Sequence, residues 1–349
     1  MKILITTPNY KNPQLGGVAN HFYGLLPYWK ENVRYLIVGR RKRDTYGKYY
    51  LPWDIVKYFF VLLFWRPDAV MVNQPLPTTV RERIFLRIAK VFGVKFILHF
   101  HGFNEFTAQK MNGADFMRQH KDVDAFVVLS SQARDYLLKW GVKCPIYITT
   151  TKVADTMLEG FDIALRTGEI QNVMYLSRVE EQKGIYIALD IFAMIAERYP
   201  QMRFSVVGGG TELEKAKQYA QKAGIHNIVF TGSLTGKALI DAFKSGDVFV
   251  FTSYHEGMPT SLLEAMCFGL PIVTRPVGGV PDFFEQDKMG AMVDSFDAKD
   301  FVEPICKLID NVNLTKEISQ YNHQFGKAHF LASHVAEHME QIFKEITKN

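Results

Sequence analysis

Two carboxylates, Glu256 and Glu264, bracket a stretch reading Glu256-Gly257-Met258-Pro259-Thr260-Ser261-Leu262-Leu263-Glu264. An apolar run, Val248-Phe249-Val250-Phe251, precedes this polar turn, and a helical pattern starts near Pro259 or Thr260. A strand that turns into a helix aims backbone N–H groups, and the positive end of the helix dipole, at whatever lies beyond the strand. That setting suits a pyrophosphate, and carboxylates beside it accept hydrogen bonds from sugar or ribose hydroxyls. Together these features point to a nucleotide-sugar site, although two glutamates so spaced, taken alone, read as an ordinary solvated turn.

Cations occur where such a ligand needs them. In Leu176-Ser177-Arg178-Val179-Glu180-Glu181-Gln182-Lys183-Gly184, Arg178 and Lys183 lie on a loop between a strand and a helix. An arginine contacts a phosphate bidentately and a lysine acts as a mobile point charge, so the pair can converge on two phosphates. Gly16-Gly17 follows the first apolar run, and Val207-Gly208-Gly209-Gly210 follows a later one. Glycines there let backbone approach a ligand closely, and either cluster alone means only a turn. His99-Phe100-His101-Gly102 ends another strand pattern. Asp122-Val123-Asp124 spells a motif that can hold a metal, but it leads into an apolar strand, and we read Asp124 as structural.

The elements that must carry these residues alternate throughout. Strands are predicted at 3–6, 35–38, 69–73, 95–99, 125–129 and 146–149. A second series follows at 173–176, 203–207, 228–230, 248–251, 272–274 and 291–293. Helical patterns separate them, which argues for parallel sheets built from right-handed βαβ units. Two such series predict two doubly wound domains, whose strand ends bind ligands.

Length and composition agree. The 349 residues suffice for two domains, and 48% are apolar. Three cysteines, Cys144, Cys267 and Cys306, lack metal-ligand spacing and fit a reducing compartment. The longest apolar run, 55–65, is too short to span a bilayer. The net charge of +5 is uneven: residues 1–168 hold 24 Lys and Arg against 13 Asp and Glu, and the remainder 17 against 23. Arg40-Arg41-Lys42-Arg43, followed by Tyr49, Tyr50 and Trp53, suits an anionic lipid surface or a solvated loop. No recognised nucleic-acid motif accompanies the patch, so no nucleic-acid partner is expected.

The segment from Glu256 to Pro271 resembles the E-G-x-P-x-x-L-L-E-A-M-x-x-G-x-P signature of family 4 retaining glycosyltransferases at nearly every fixed position. Ser177-Arg178 to Lys183-Gly184 resembles the same family's S/G-R-x-x-x-x-K-G pattern. The resemblance covers essentially the whole chain and implies the GT-B architecture, two Rossmann-like domains facing a central cleft. The stretch 150–171 has no clear strand and breaks at Gly160 and Gly168, so the domain boundary is expected within it. The assigned domains are an acceptor-binding domain over 1–165, a nucleotide-sugar-binding domain over 166–330, and a C-terminal helix over 331–349 packing back on the first. By the same resemblance Arg178, Lys183, Glu256 and His101 are catalytic. Gly16, Gly17, Gly209, Gly257, Met258, Pro259, Thr260, Ser261 and Glu264 bind the donor.

The expected donor is a nucleotide-diphosphate sugar, UDP-linked in preference to GDP-linked, handled without a metal cofactor. The expected acceptor is a glycan or lipid-linked oligosaccharide of a bacterial surface polysaccharide. The expected place is the cytoplasm, with residues 40–53 against the inner face of the membrane. Two departures stand out: Thr149-Thr150-Thr151-Lys152-Val153 replaces the family's P-N-G-V-D, and Pro281-Asp282 replaces Pro-Glu. The rival readings are an inactive scaffold or glycan-binding subunit, and a different nucleotide-sugar activity on the same fold. A decayed copy loses Arg178, Lys183, Glu256 or Glu264 early, and all four are present.

Overall fold

The computed structural model describes residues 1–11, 16–39, 47–74, 80–103 and 105–348. The expected βα alternation is present in each of two units, one comprising Met1–Lys152 with Ala332–Asn349 and the other Val153–Leu331.

In the first unit the elements are β1 (Lys2–Thr7), α1 (Gly17–Leu25), β2 (Asn32–Ile37), α2 (Leu51–Trp65), β3 (Ala69–Gln74) and α3 (Val80–Val91). They continue as β4 (Lys95–Phe100), α4 (Glu105–Gln109), α5 (Gly113–His120), β5 (Ala125–Val128), α6 (Ser131–Lys139) and β6 (Ile146–Ile148). The strands pair in parallel in the order β2-β1-β3-β4-β5-β6. Side chains alternate across the sheet, as strand geometry requires. Leu4, Val70, Val72, Phe96 and Leu98 pack on the face that α2, α3, α5 and α6 cover. Ile3, Ile5, Met71, Ile97 and Val127 pack on the other, against α1 and the last helix of the chain.

In the second unit the elements are β7 (Asn172–Leu176), α7 (Ile185–Arg198), β8 (Arg203–Val207), α8 (Leu213–Lys222), β9 (Ile228–Gly232) and α9 (Gly236–Ser245). After these come β10 (Val248–Phe251), α10 (Thr260–Cys267), β11 (Ile272–Thr274), β12 (Gly290–Met292), α11 (Lys299–Asp310) and α12 (Val312–Phe330). Their sheet, again parallel, has the order β12-β11-β10-β7-β8-β9. The chain then re-enters the first unit as α13 (Ala332–Lys348), whose Val335, Met339, Ile342 and Phe343 are buried there.

The units divide at Lys152/Val153, not at the expected 165/166. That point lies within the strandless stretch 150–171, and contacts of 153–165 explain it: Phe161 packs on Phe268 and His323, with ring centroids 5.1 and 5.6 Å away. The Val153 amide donates to the Phe330 carbonyl at 2.7 Å, which ties the outgoing chain to the returning one. Arg166, buried, donates from Nε to the Phe268 carbonyl at 2.9 Å and from Nη2 to the Phe243 carbonyl at 2.7 Å. A guanidinium placed over the carbonyl ends of two helices, α9 and α10, is favoured by their dipoles.

Candidate functional site

The turn between β10 and α10 and the loop between β7 and α7 meet, and they bring two expected residues together. Lys183 Nζ lies 2.7 Å from Glu256 Oε1, with both side chains largely withdrawn from solvent. Ser253 Oγ donates to the same Oε1 at 2.8 Å. Both bonds fall on one oxygen, so Oε2 keeps its capacity to accept a hydroxyl. The Lys183 backbone is fixed as well: its carbonyl accepts from Tyr175 Oη at 2.9 Å. Gly184 follows in the left-handed region at φ 72°, and a Cβ there would sit 2.1 Å from the Thr252 carbonyl oxygen. Only glycine lets the two loops approach so closely.

Arg178 does not join that pair. Its Nη1 lies 2.6 Å from Glu180 Oε1, and the side chain is 63% exposed. Gln182 Nε2 donates to the other Glu180 oxygen at 2.9 Å. An ion pair this exposed exchanges partners at little cost, so Arg178 can turn to an anion at the loop. Gly209 backs the same loop, its carbonyl accepting from the Val179 amide at 3.0 Å. Gly257, Met258 and Pro259 form the turn, Thr260 and Ser261 open α10, and Glu264 lies one turn along it, half-buried.

Several residues that the sequence reading left out build this turn. The Gly279 amide donates to the Gly257 carbonyl at 2.9 Å, which sets the loop after β11 against the Glu256 turn. Arg275, buried, donates from Nη1 to the Ser253 carbonyl at 3.1 Å and from Nε to the Ser295 carbonyl at 2.8 Å. Its guanidinium lies 3.5 Å from the centroid of the Phe296 ring. The signal for the first was available in Gly278-Gly279 following a strand; nothing local marks Arg275.

In the first unit, Gly16 caps α1 at φ 115° and its carbonyl accepts from the Asn20 amide at 3.2 Å, with Gly17 opening the helix. Residues 12–15 before them lie outside the described residues, as do 40–46 of the stretch expected to meet a membrane. His101 Nε2 lies 3.1 Å from Asn73 Oδ1, and Asn73 Nδ2 donates to the Thr6 carbonyl at 2.6 Å. That second bond identifies Oδ1 as the amide's acceptor, so His101 Nε2 carries the proton and Nδ1 is the bare, accepting nitrogen.

His99 stands 4.0 Å from His101 and His21 stands 5.3 Å from it, measured between ring centroids. Burial drives the His101 pKa down to about 3, and burial with the charge of His101 lowers His21 and His99 well below the usual value. All three rings are therefore neutral at pH 7. Among the described residues no three His, Cys, Asp or Glu side chains are arranged to hold a metal ion. Asp124 is structural: Oδ2 accepts from the Phe96 amide and from Lys90 Nζ, each at 2.7 Å. Ser130 caps α6, its Oγ accepting from the Ala133 amide at 3.1 Å.

Comparison with known proteins bears on both units. The structure of HepE from Anabaena, solved with UDP, superposes with a TM-score of 0.76 over 99% of this chain and 100% of that one, at 14% identity. The fold is GT-B. Residues 164–325 match the family described as glycosyl transferases group 1, so the loops of Lys183 and Glu256 lie inside the matched region. A D-inositol 3-phosphate glycosyltransferase of Corynebacterium jeikeium is 27% identical over 49% of this chain and 43% of its own length. The chain thus spans less than half of that relative. An uncharacterized glycosyltransferase of Methanocaldococcus jannaschii is 22% identical over 98% of both chains.

Proposed function

We propose that this GT-B chain is a retaining glycosyltransferase of family 4 type. Its donor is a nucleotide-diphosphate sugar, with UDP favoured, and its acceptor a hydroxyl of a glycan or lipid-linked oligosaccharide. The observation that carries the reading is the Lys183–Glu256 pair at 2.7 Å, held by Ser253 beside the start of α10. A cation and a carboxylate kept this close give one group for a leaving diphosphate and one for a sugar hydroxyl. The HepE structure, solved with UDP, supports the choice of nucleotide.

In the proposed reaction the acceptor oxygen bonds to the anomeric carbon as the bond from that carbon to the β-phosphate oxygen breaks. The acceptor proton passes to the departing phosphate oxygen on the same face, which retains the configuration. Negative charge grows on the diphosphate as the bond breaks. Lys183, Arg178 and the amides at 258–261 meet it there, where preset donors contribute most to rate. Glu256 accepts a hydroxyl of the donor sugar and Glu264 the ribose hydroxyls; in the first unit His101 Nδ1 is an acceptor for a sugar hydroxyl.

The test is the melting temperature with UDP and with GDP, on the wild type and on Arg178→Ala, followed by NMR of the product anomer. A nucleotide at ~100 times its Kd stabilises by about 2.7 kcal/mol, a readable shift. A UDP shift that the variant loses, and a product of retained configuration, support the proposal. No shift from either nucleotide together with no sugar transfer from UDP- or GDP-sugars defeats it, and an inverted product defeats the retaining mechanism.

A further inference from the structure

Helix α2 has the sequence Leu-Pro-Trp-Asp-Ile-Val-Lys-Tyr-Phe-Phe-Val-Leu-Leu-Phe-Trp and is apolar on both of its sides. Its inner side is accounted for, because Tyr58, Leu62 and Trp65 are buried in the core of the first unit. The outer side carries Trp53, Val56, Phe59, Phe60 and Phe64, spaced at helical intervals and all exposed, Phe64 at 77%. Phe60 and Phe64 stack on each other with centroids 5.8 Å apart, leaving that surface flat and aromatic. A row of this kind on a soluble domain marks a surface that another phase or molecule covers.

Charge identifies the cover. Helix α3 packs beside α2 on the same sheet face, with Tyr58 stacked on Phe85 and Phe59 against Phe92, the residue just after α3. Arg83 and Arg87 lie one turn apart on its exposed side, and Arg66, also exposed, directly follows α2. The carboxylates of the two helices, Asp54 and Glu82, are both buried. The outer face of the pair thus combines aromatic rings with arginines that form no ion pair among the described residues.

Two copies of such a face repel each other, which disfavours self-association. A protein partner needs roughly one hydrogen bond per 100–200 Å² of interface, and five apolar side chains, with one indole N–H among them, supply almost none. A bilayer interface asks for what is here: rings that sink to the acyl boundary and arginines that reach anionic headgroups.

We propose that the outer face of α2 and α3 docks on an anionic lipid bilayer, with Trp53, Phe60 and Phe64 inserted and Arg83 and Arg87 at the headgroups. The proposal does not depend on the reaction proposed above, nor on residues 40–46. The experiment is co-sedimentation of the full chain with vesicles of phosphatidylcholine, with and without phosphatidylglycerol, at low and high salt. Phe60→Ser/Phe64→Ser and Arg83→Glu/Arg87→Glu are run beside the wild type, with thermal melts to establish that each is folded.

The wild type is expected to bind vesicles containing phosphatidylglycerol, to release in high salt, and to bind phosphatidylcholine weakly. Each folded double variant is expected to lose at least ~10-fold in partitioning, since each arginine at an anionic surface and each inserted ring contributes separately. Absence of wild-type binding overturns the proposal, as does binding that both variants keep. A dimer seen by light scattering that Phe60→Ser/Phe64→Ser dissolves overturns it too, by assigning the face to a second copy.

Discussion

On the loops after β7 and β10, Lys183 and Glu256 are an ion pair largely withdrawn from solvent. At the end of β4, His99 and His101 are neutral, and the ring nitrogens of His99 and His21 are buried with no hydrogen-bond partner among the described residues. Both sites sit where parallel strands give way to loops, yet one accumulates charge and the other expels it. In the second unit Arg178 and Lys183 are each paired with a carboxylate, and on the proposed reading a phosphate takes the carboxylate's place. The first unit offers uncharged nitrogens, suited to hydroxyls and costly to protonate. Ionisation states, more than positions in the fold, separate the two roles.

If the contrast is right, removing charge from the second site costs most. Glu256→Ala is expected to lower kcat by ~30- to 1,000-fold, about 2–4 kcal/mol in the transition state, with the melting temperature little changed. The residue sits in a turn and supports no core packing, so the loss reads as function. Lys183→Ala should behave alike, and the double variant should lose less than the two single losses combined, because each single change strands the other's partner. Wild-type turnover in Glu256→Ala with donor saturating sinks the assignment.

Acid distinguishes the sites next. The folded-state pKa of His101 is about 3 and those of His21 and His99 are lowered too, so below the unfolded value of ~6.5 the unfolded chain binds more protons. Stability from these rings is fully present above ~6.5 and is lost as pH falls toward their folded values. Each ring held neutral costs about 1.4 kcal/mol per pH unit in that window. Urea titrations between pH 7 and 5 should show the loss, and His99→Phe should flatten it. An unchanged slope in that variant removes His99 from the argument.

The neutral site also depends on a tautomer. Asn73→Leu takes the acceptor from His101 Nε2 and the donor from the Thr6 carbonyl, an expected loss of about 1–3 kcal/mol. Nitrogen NMR should show His101 protonated at Nε2 in the wild type and mixed in the variant. Protonation at Nδ1 in the wild type contradicts the hydrogen-bond assignment.

Much of this was legible in the sequence, for physical reasons. Strands such as 203–207, 248–251 and 272–274 are apolar runs bounded by polar turns, so their limits matched to the residue. Glu256 and Lys183 declared themselves by standing in loops where nothing apolar explains them. Arg275 and Asn73 did not, because each acts through a backbone carbonyl that folding alone brings near. The boundary was legible only as the stretch 150–171, because what joins 153–165 to the second unit, the Val153 amide on the Phe330 carbonyl and Phe161 on Phe268, lies far away in sequence.

The smallest expected effect tests how far the charged site is preset. Ser253 Oγ reaches Glu256 Oε1 at 2.8 Å, while Lys183 reaches the same oxygen at 2.7 Å. A net hydrogen bond contributes about 0.5–1.5 kcal/mol, somewhat more to a charged acceptor. Ser253→Ala leaves the ion pair intact and releases only the carboxylate's orientation, so kcat should fall ~2- to 10-fold with donor binding nearly unchanged. Ser253→Thr, which keeps the hydroxyl, should restore part of the rate. A loss in binding alone, with kcat preserved, means that Lys183 by itself holds the carboxylate for the reaction and that the hydroxyl serves the ground state.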